Sequence, residues 1–503
     1  MKTEKIEALI ERLDRLRREM LELEAYHVRD VQAVDVGHST GAKNLLHYVA
    51  LRRYDLHETQ LELAEMGLSS LGRCESWALA NVEAVLTNLR GLIEPARVAD
   101  TRLSQGFGSS LQEGRRCIDC NAERLLGPAP ERRVRIMVTM PSGGAYDYPL
   151  VRNLLAGGMD CMRINCSHDD PETWQRMIGQ LYRARLELNR PCQVCLDLEG
   201  PNPRTRLFPG FDTLQRYHIG DRLRLAREPG KQDELPEFGC TCPEIIADLK
   251  AGERLYIDDG KIGAMVRRVG DGTAELEITS VGPKGRKIKA EKGINVPDSS
   301  LRLASLTDTD LEVLPFVASH ADMVGFSFVR HPEDILRLQE ELVRVGGERI
   351  GIVLKIETLS AFHHFPRLLL AAMRSPKIGV MIARGDMAVE CGYERLAEVQ
   401  EEILWFCEAA HLPVIWATEV LNSFVKTGLP GRGEITDAAM GGRAECVMLN
   451  KGPFIVEAVC ALDNILRRML AHQSKKRSML RRLSVSDTFL DWDRAHPAAG
   501  SDS

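Results

Sequence analysis

The sequence predicts an α/β chain built on a TIM (β/α)8 barrel, with a small β-barrel inserted in it and an α-helical module in front. Three observations predict it. From residue 133 onward, eight apolar runs alternate with amphipathic stretches. One interval, 205–292, breaks that order with short Val/Ile/Leu alternations punctuated by glycine. The residues before 128 carry only helical periodicity.

The leading module is read from its spacing. Ile6, Leu9, Leu13, Leu16, Met20 and Leu23 recur at three- and four-residue intervals with charge between them, which is an a/d seam. Three heptads lie at the lower limit for an autonomous coiled coil, so folding back onto neighbouring helices is favoured over dimerisation. Two further helical stretches, 44–66 and 74–92, flank Gly67, Leu68, Ser69 and Ser70. His47, Tyr54 and His57 read as packing or surface residues. A charged connector follows, with Cys117 and Cys120 inside it and Gly127-Pro128-Ala129-Pro130 at its end. One Cys-x-x-Cys is only half a zinc site, so inert surface thiols are the expectation. Because all eight expected strands lie beyond residue 128, the module is expected to be removable.

The expected strands are 133–140, 161–167, 192–198, 322–329, 350–357, 378–386, 413–418 and 446–449. The expected helices are 149–155, 171–188, 332–345, 361–373, 396–410 and 453–470. Expected boundaries are thus 1–128 for the module and connector, 129–204 and 293–470 for the barrel, 205–292 for the inserted β-barrel, and 471–503 for a basic tail. In such a barrel the chemistry belongs where the strands end. The ends supply Arg163, Asn165 and Ser167, then Asp197, Ser327, Lys355 with Glu357, Asp386 and Thr418. A rim that only meets solvent would not require cations, paired carboxylates and hydroxyls in one ring.

Bulk properties exclude several classes. A net charge of −6 gives no reason to expect a nucleic-acid binder. The charged start MKTEKIEALIERL lacks a signal-peptide apolar region, and no later run is long enough to span a bilayer, so a cytoplasmic protein is expected. Thirteen cysteines, odd in number and scattered through the strands, suit buried thiols in a reducing compartment.

Two strand ends carry a resemblance. Leu354-Lys355-Ile356-Glu357 followed by Ala383-Arg384-Gly385-Asp386 resembles the order found in pyruvate kinases. Asp258-Asp259-Gly260 and Lys292-Gly293-Ile294-Asn295-Val296-Pro297 are similar to that family's lid words, and Ala417-Thr418-Glu419 to its Ala-Thr-Gln. The resemblance covers residues of about 130 to 470. It implies transfer of phosphoryl from phosphoenolpyruvate to ADP, giving pyruvate and ATP, in a metal-dependent phosphotransferase. Lys355 and Arg163 would hold the phosphoryl group. Glu357 and Asp386 would ligate Mg²⁺ or Mn²⁺. Thr418 would help carry a proton to the enolate, and the backbone N–H groups of Gly385 and Asp386 would bind the pyruvate carboxylate, with Ser327 beside it. Asn165, His168 and Lys292 would face the nucleotide. A homo-oligomer is compatible with the resemblance.

Departures accompany these matches. Thr139-Met140-Pro141-Ser142, Glu199, Pro430-Gly431-Arg432-Gly433-Glu434 and Asn450-Lys451-Gly452-Pro453 all differ from the family's words, the last on the nucleotide side. By resemblance Asn165, Ser167, Asp197 and the Leu198 carbonyl would hold K⁺, yet Leu198 and Asn202 stand where K⁺-dependent members have threonine and glutamate. Weak or no K⁺ dependence is therefore expected, with Arg204 balancing Asp197. The segment after 470 does not resemble the family's regulatory domain, so no activation by sugar bisphosphates is expected. A metal-dependent lyase acting on a pyruvate enolate and a catalytically silent sensor are the alternative readings.

Overall fold

The computed structural model describes residues 2–93, 107–129, 131–230, 235–470, 472–474, 477 and 478. Its centre is a closed barrel of eight parallel strands: β1 (Arg135–Thr139), β2 (Cys161–Asn165), β3 (Gln193–Asp197), β4 (Met323–Phe326), β5 (Gly351–Ile356), β6 (Ile378–Ala383), β7 (Val414–Ala417) and β8 (Cys446–Leu449). Each strand pairs with its sequence neighbours, and β8 returns to β1. Both faces of these strands are covered by protein, which is why they read as near-continuous apolar runs. Seven of the eight expected strands overran their C-terminal ends by one to three residues, and β8 matches, because the residues that follow leave the ladder to form the mouth. The overrun reaches three residues at β4 and at β6, where Arg384, Gly385 and Asp386 already belong to helix Arg384–Cys391.

Side-chain alternation divides the barrel interior into two layers. Met137, Cys161, Cys195, Met323, Val353, Met381, Ile415, Cys446 and Met448 form an apolar lower cluster. Two residues further along four strands, the same inward face presents Arg163, Asp197, Gly325 and Lys355. A period of two thus converts an apolar floor into a charged mouth.

The floor is completed from outside the barrel. Residues of the expected connector form a helix, Phe107–Leu126, whose last two leucines, Leu125 and Leu126, join the interior cluster. A side chain at Gly351 or Gly379 would meet Leu125 methyl carbons at 2.4 Å, so the two glycines make room for the plug. Cys117 and Cys120 lie on this helix as free thiols, and among the described residues no group of three metal-ligating side chains assembles.

The first helix, Lys2–Tyr26, buries Leu9, Leu13, Leu16 and Met20 in one cluster with Tyr48, Leu51, Val82, Leu86 and Leu89 of this same chain. The seam is therefore filled within the chain. The stretch expected as a single helix over 44–66 is two, Ser39–Leu51 and His57–Glu65. His47 is buried against Glu24 at 2.8 Å, whereas His57 is exposed. Polar bonds bolt the module to the underside of β6 and β7. Asn44 Nδ2 donates to Ala409 O at 2.8 Å, Asn121 Nδ2 donates to His411 O at 2.9 Å, and Asp35 N donates to Met373 O at 2.8 Å. The module thus supplies the base of the barrel, which speaks against the expectation that it is removable.

Between β3 and β4 lies a seven-stranded mixed sheet around its own apolar core, which includes Tyr217, Phe238, Leu255 and Leu276. An isolated bridge between Arg204 and Gly293 links its two edge strands, Thr205–Leu207 and Ile294–Asn295, and brings the sheet back on itself. Helix Asp308–His320, opened by a Thr307 capping box and containing Pro315, is absent from the expected helices because the proline interrupts the amphipathic pattern. Of the expected basic tail, His472 and a short pairing of Gln473–Ser474 with Arg477–Ser478 fall within the described residues; Lys475, Lys476, Arg481, Arg482 and Ser484 lie outside them.

Candidate active site

Three charged side chains meet at the centre of the mouth. Lys355 Nζ, at the end of β5, lies 3.1 Å from Asp197 Oδ2 and 3.0 Å from Glu357 Oε1, and donates to Ser327 Oγ at 2.7 Å. All three ammonium protons therefore have acceptors. Arg163 Nε donates to the same Asp197 oxygen at 3.1 Å, its terminal nitrogens reaching Asp197 again and Thr139 Oγ1. Burial by itself would raise the Asp197 carboxyl, but Arg163 and Lys355 overcome it and hold the group below the usual carboxylate range. Burial would likewise lower the Lys355 ammonium; Asp197 and Glu357 reverse this and keep it charged.

The second carboxylate of the proposed metal pair behaves oppositely. Asp386 is pushed up to about 7, by burial first and then by the negative charge of Glu357, with Lys355 pulling the other way. A buried carboxyl whose ionisation is disfavoured, beside a second hard oxygen donor in Glu357, is what a divalent ion relieves. Mg²⁺ usually takes one or two protein carboxylates and completes its shell with water and substrate oxygens, so this donor set fits Mg²⁺ or Mn²⁺. Glu357 is anchored by its other oxygen, which accepts the Phe328 N–H at 2.6 Å. Phe328 adopts φ +53° to present that donor.

Thr418 stands at the end of β7 with φ +63°, a strained conformation for a β-branched residue. Its Oγ1 accepts the Gly385 N–H at 2.8 Å, so that amide is already engaged and the hydroxyl proton remains free to be donated elsewhere. Arg384 Nε donates to Ala417 O at 2.8 Å and its guanidinium grips Asp437, which ties the β6 and β7 ends together. Ser327 Oγ donates to Leu198 O at 2.6 Å.

The nucleotide-side candidates are looser. His168 is exposed at the β2 end, and partial shielding, then Lys451 and Arg204, hold its imidazole below the usual range. Lys292 Nζ stands 3.6 Å from Asp258 Oδ1. Asn165 Oδ1 accepts the Ser167 N–H at 3.3 Å. Of the oxygens named for K⁺, Leu198 O takes the Ser327 hydroxyl and Asp197 Oδ2 takes two cations, while Asp197 Oδ1 is buried without a partner. The expected balance between Arg204 and Asp197 is corrected. Asp197 is neutralised by Arg163 and Lys355, and Arg204 acts on Glu199.

Two residues escaped the sequence reading. Glu390, 6% exposed, is raised to about 7 by burial, with the Leu359 N–H and the Asn295 amide pulling it down and Asp386 pushing it up. It stands four residues after Asp386 on one helix, and that same-face spacing was the available signal. Gly325 is the other. A side chain there would place its Cβ 1.8 Å from Asp197 Oδ1, and nothing in a lone strand glycine announces this.

Comparison with known proteins agrees with this geometry. A family profile described as "Pyruvate kinase, barrel domain" matches residues 131–459. The chain is 31% identical over 324 residues to the pyruvate kinase of Clostridium acetobutylicum, covering 63% of this chain and 66% of that one. It is 30% identical over 350 residues to pyruvate kinase 2 of a Synechocystis species, covering 68% and 57%. It is 31% identical over 294 residues to the pyruvate kinase of Thermotoga maritima, covering 58% and 60%. Each alignment thus spans less than two thirds of the relative. With more than half its length matched by the profile and the same strand-end residues gathered at one mouth, the chain belongs to the pyruvate kinase family.

Proposed function

We propose that the chain transfers the phosphoryl group of phosphoenolpyruvate to ADP in a Mg²⁺- or Mn²⁺-dependent reaction, releasing pyruvate and ATP. The observation that carries this reading is the convergence of Lys355, Arg163, Glu357 and Asp386 at one barrel mouth. Phosphoryl transfer demands charge neutralisation on the moving group more than covalent help, and two fixed cations beside a carboxylate pair supply it.

Lys355 and Arg163 would orient the phosphoryl oxygens, exchanging part of their hold on Asp197 for the substrate. Glu357 and Asp386 would hold the divalent ion, whose chemistry when bound is to neutralise the carboxylate and phosphate of the substrate. Thr418, with its oxygen fixed by the Gly385 N–H, would direct its hydroxyl proton toward the enolate carbon, through water. Ser327 would steady Lys355. On the acceptor side, Asn165, His168 and Lys292 would meet the nucleotide, with Lys451 adding positive charge where Asn450-Lys451-Gly452-Pro453 departs from the family's pattern. K⁺ is not required in this reading, because Lys355 and Arg163 already neutralise Asp197.

The test is a reaction of the purified chain with phosphoenolpyruvate, ADP and Mg²⁺, following pyruvate and ATP separately. Both products in equal amounts are expected. Nucleotide-independent turnover of an oxo-acid would overturn the proposal in favour of a lyase, and binding without turnover in favour of a sensor.

A further inference from the structure

Outside the barrel mouth, the lid carries a cleft of about 770 Å³ whose charge is one-sided. Seven of its lining side chains are cationic and one, Asp258, is anionic. Asp258 is already shared, by Lys261 at 3.2 Å and Lys292 at 3.6 Å. The other five cations, Arg216, Lys284, Arg286, Lys287 and Lys289, make no ion pair among the described residues. Glu291, exposed in the same loop, is the nearest acid in sequence. In a chain of net charge −6, so concentrated a positive surface is not needed for solubility and repels itself at rest.

The turn that presents these cations is rigid. Gly285 takes φ +62° and its N–H donates to Gly282 O at 2.9 Å. Tyr217 and Arg286 exchange backbone bonds of 2.8 and 3.1 Å, and Arg216 Nη1 donates to Lys284 O at 3.3 Å and Gly285 O at 3.0 Å. A preordered cationic turn loses little entropy when it receives an anion. The cleft also has the size of a small-molecule site, roughly 300–1,000 Å³. Its inner end, Asp258 with Lys261 and Lys292, adjoins Asp259, which precedes Gly260 where the lid rests against Val389 and Tyr393.

We propose that this cleft binds an oligophosphate anion through the lid turn 282–289. The occupant is a free oligophosphate acting as an effector, distinct from the phosphoryl acceptor, and the site does not rest on the phosphotransferase reading.

Calorimetric titration of the full chain with inorganic tripolyphosphate, and separately with ADP, tests this at low salt and at high salt. The triple variant Lys284→Ala, Lys287→Ala, Lys289→Ala changes side chains outside the catalytic set, and its melting temperature and circular dichroism control for folding. Tripolyphosphate is expected to bind the wild type and to lose about tenfold or more in affinity in the variant, with salt weakening the wild type more than the variant. An unchanged ADP affinity is expected, and a parallel loss for ADP would overturn the proposal. Absent wild-type binding, equal affinity in both proteins, or tighter binding of a single-stranded oligonucleotide than of tripolyphosphate would overturn the proposal. If tripolyphosphate binding follows the expected pattern while no pyruvate or ATP is formed, the site stands and the transfer reading falls. If turnover occurs but the variant binds tripolyphosphate as well as the wild type, the reverse holds.

Discussion

Lys355 and Asp197 stand on β5 and β3, with β4 between them, yet their side chains meet at 3.1 Å across the intervening strand. They can do so because the inward-facing position on β4 is Gly325, where any Cβ would lie 1.8 Å from Asp197 Oδ1. The charged centre of the mouth is therefore shaped by a missing side chain.

Gly325→Ala should displace Asp197 and loosen the Arg163–Asp197–Lys355 cluster. A loss of about 10² in kcat/KM is expected, since preorganised charge is worth that much or more, along with a lower melting temperature. Steady-state kinetics and calorimetry on the same preparation check both, and unaltered kinetics would show that the cluster tolerates displacement.

Lys355→Met should reduce turnover by about 10² to 10³ or more. It should also destabilise the fold, because it leaves Asp197 and Glu357 buried with only Arg163 to answer them. Breaking a buried pair from one side costs about 3–5 kcal/mol. Chemical denaturation measures this, and a variant as stable as the wild type would contradict the buried network.

Removing residues 1–128 should yield an insoluble or unfolded chain, since Leu125 and Leu126 close the barrel floor. The milder pair Leu125→Ala, Leu126→Ala should cost about 2–5 kcal/mol for each residue. Sedimentation and thermal melting of the truncated and substituted proteins decide between a structural base and a dispensable appendage.

Stability should fall as pH rises from about 5 to about 8 in the absence of divalent ions. Asp386 and Glu390 are each raised to about 7, so the folded chain binds their protons more tightly than the unfolded chain, and that advantage is lost as the pH climbs through the folded value. Asp197, held low, acts in the opposite sense and only as the pH falls below about 4. Glu390→Gln should flatten the melting curve against pH. Added Mn²⁺ should raise the melting temperature more at pH 8 than at pH 5, because the ion binds the ionised pair.

Much of the mouth was legible because β-strand alternation and the strand-end rule convert sequence positions directly into inward-facing residues. Lys355, Glu357, Arg163 and Asp197 come together for that reason. The pairing of Lys355 with Asp197 was not legible, since it depends on which strand lies between them and on Gly325. The plug helix was missed because its sequence, with Gly108, Gly114 and three arginines, reads as a charged connector, and its two decisive leucines lie at the very end. Glu390 was not legible because the strand-end rule reaches only to Asp386, one helical turn short.

The most direct measurement is phosphorus NMR of phosphoenolpyruvate, ADP and Mg²⁺ with the wild-type chain and with Lys355→Met. Loss of the phosphoenolpyruvate signal with stoichiometric growth of ATP in the wild type, slowed by about 10² or more in the variant, is the predicted result. Phosphoenolpyruvate that stays intact with the wild type, or is consumed without ATP, or is consumed equally fast by the variant, would contradict the account.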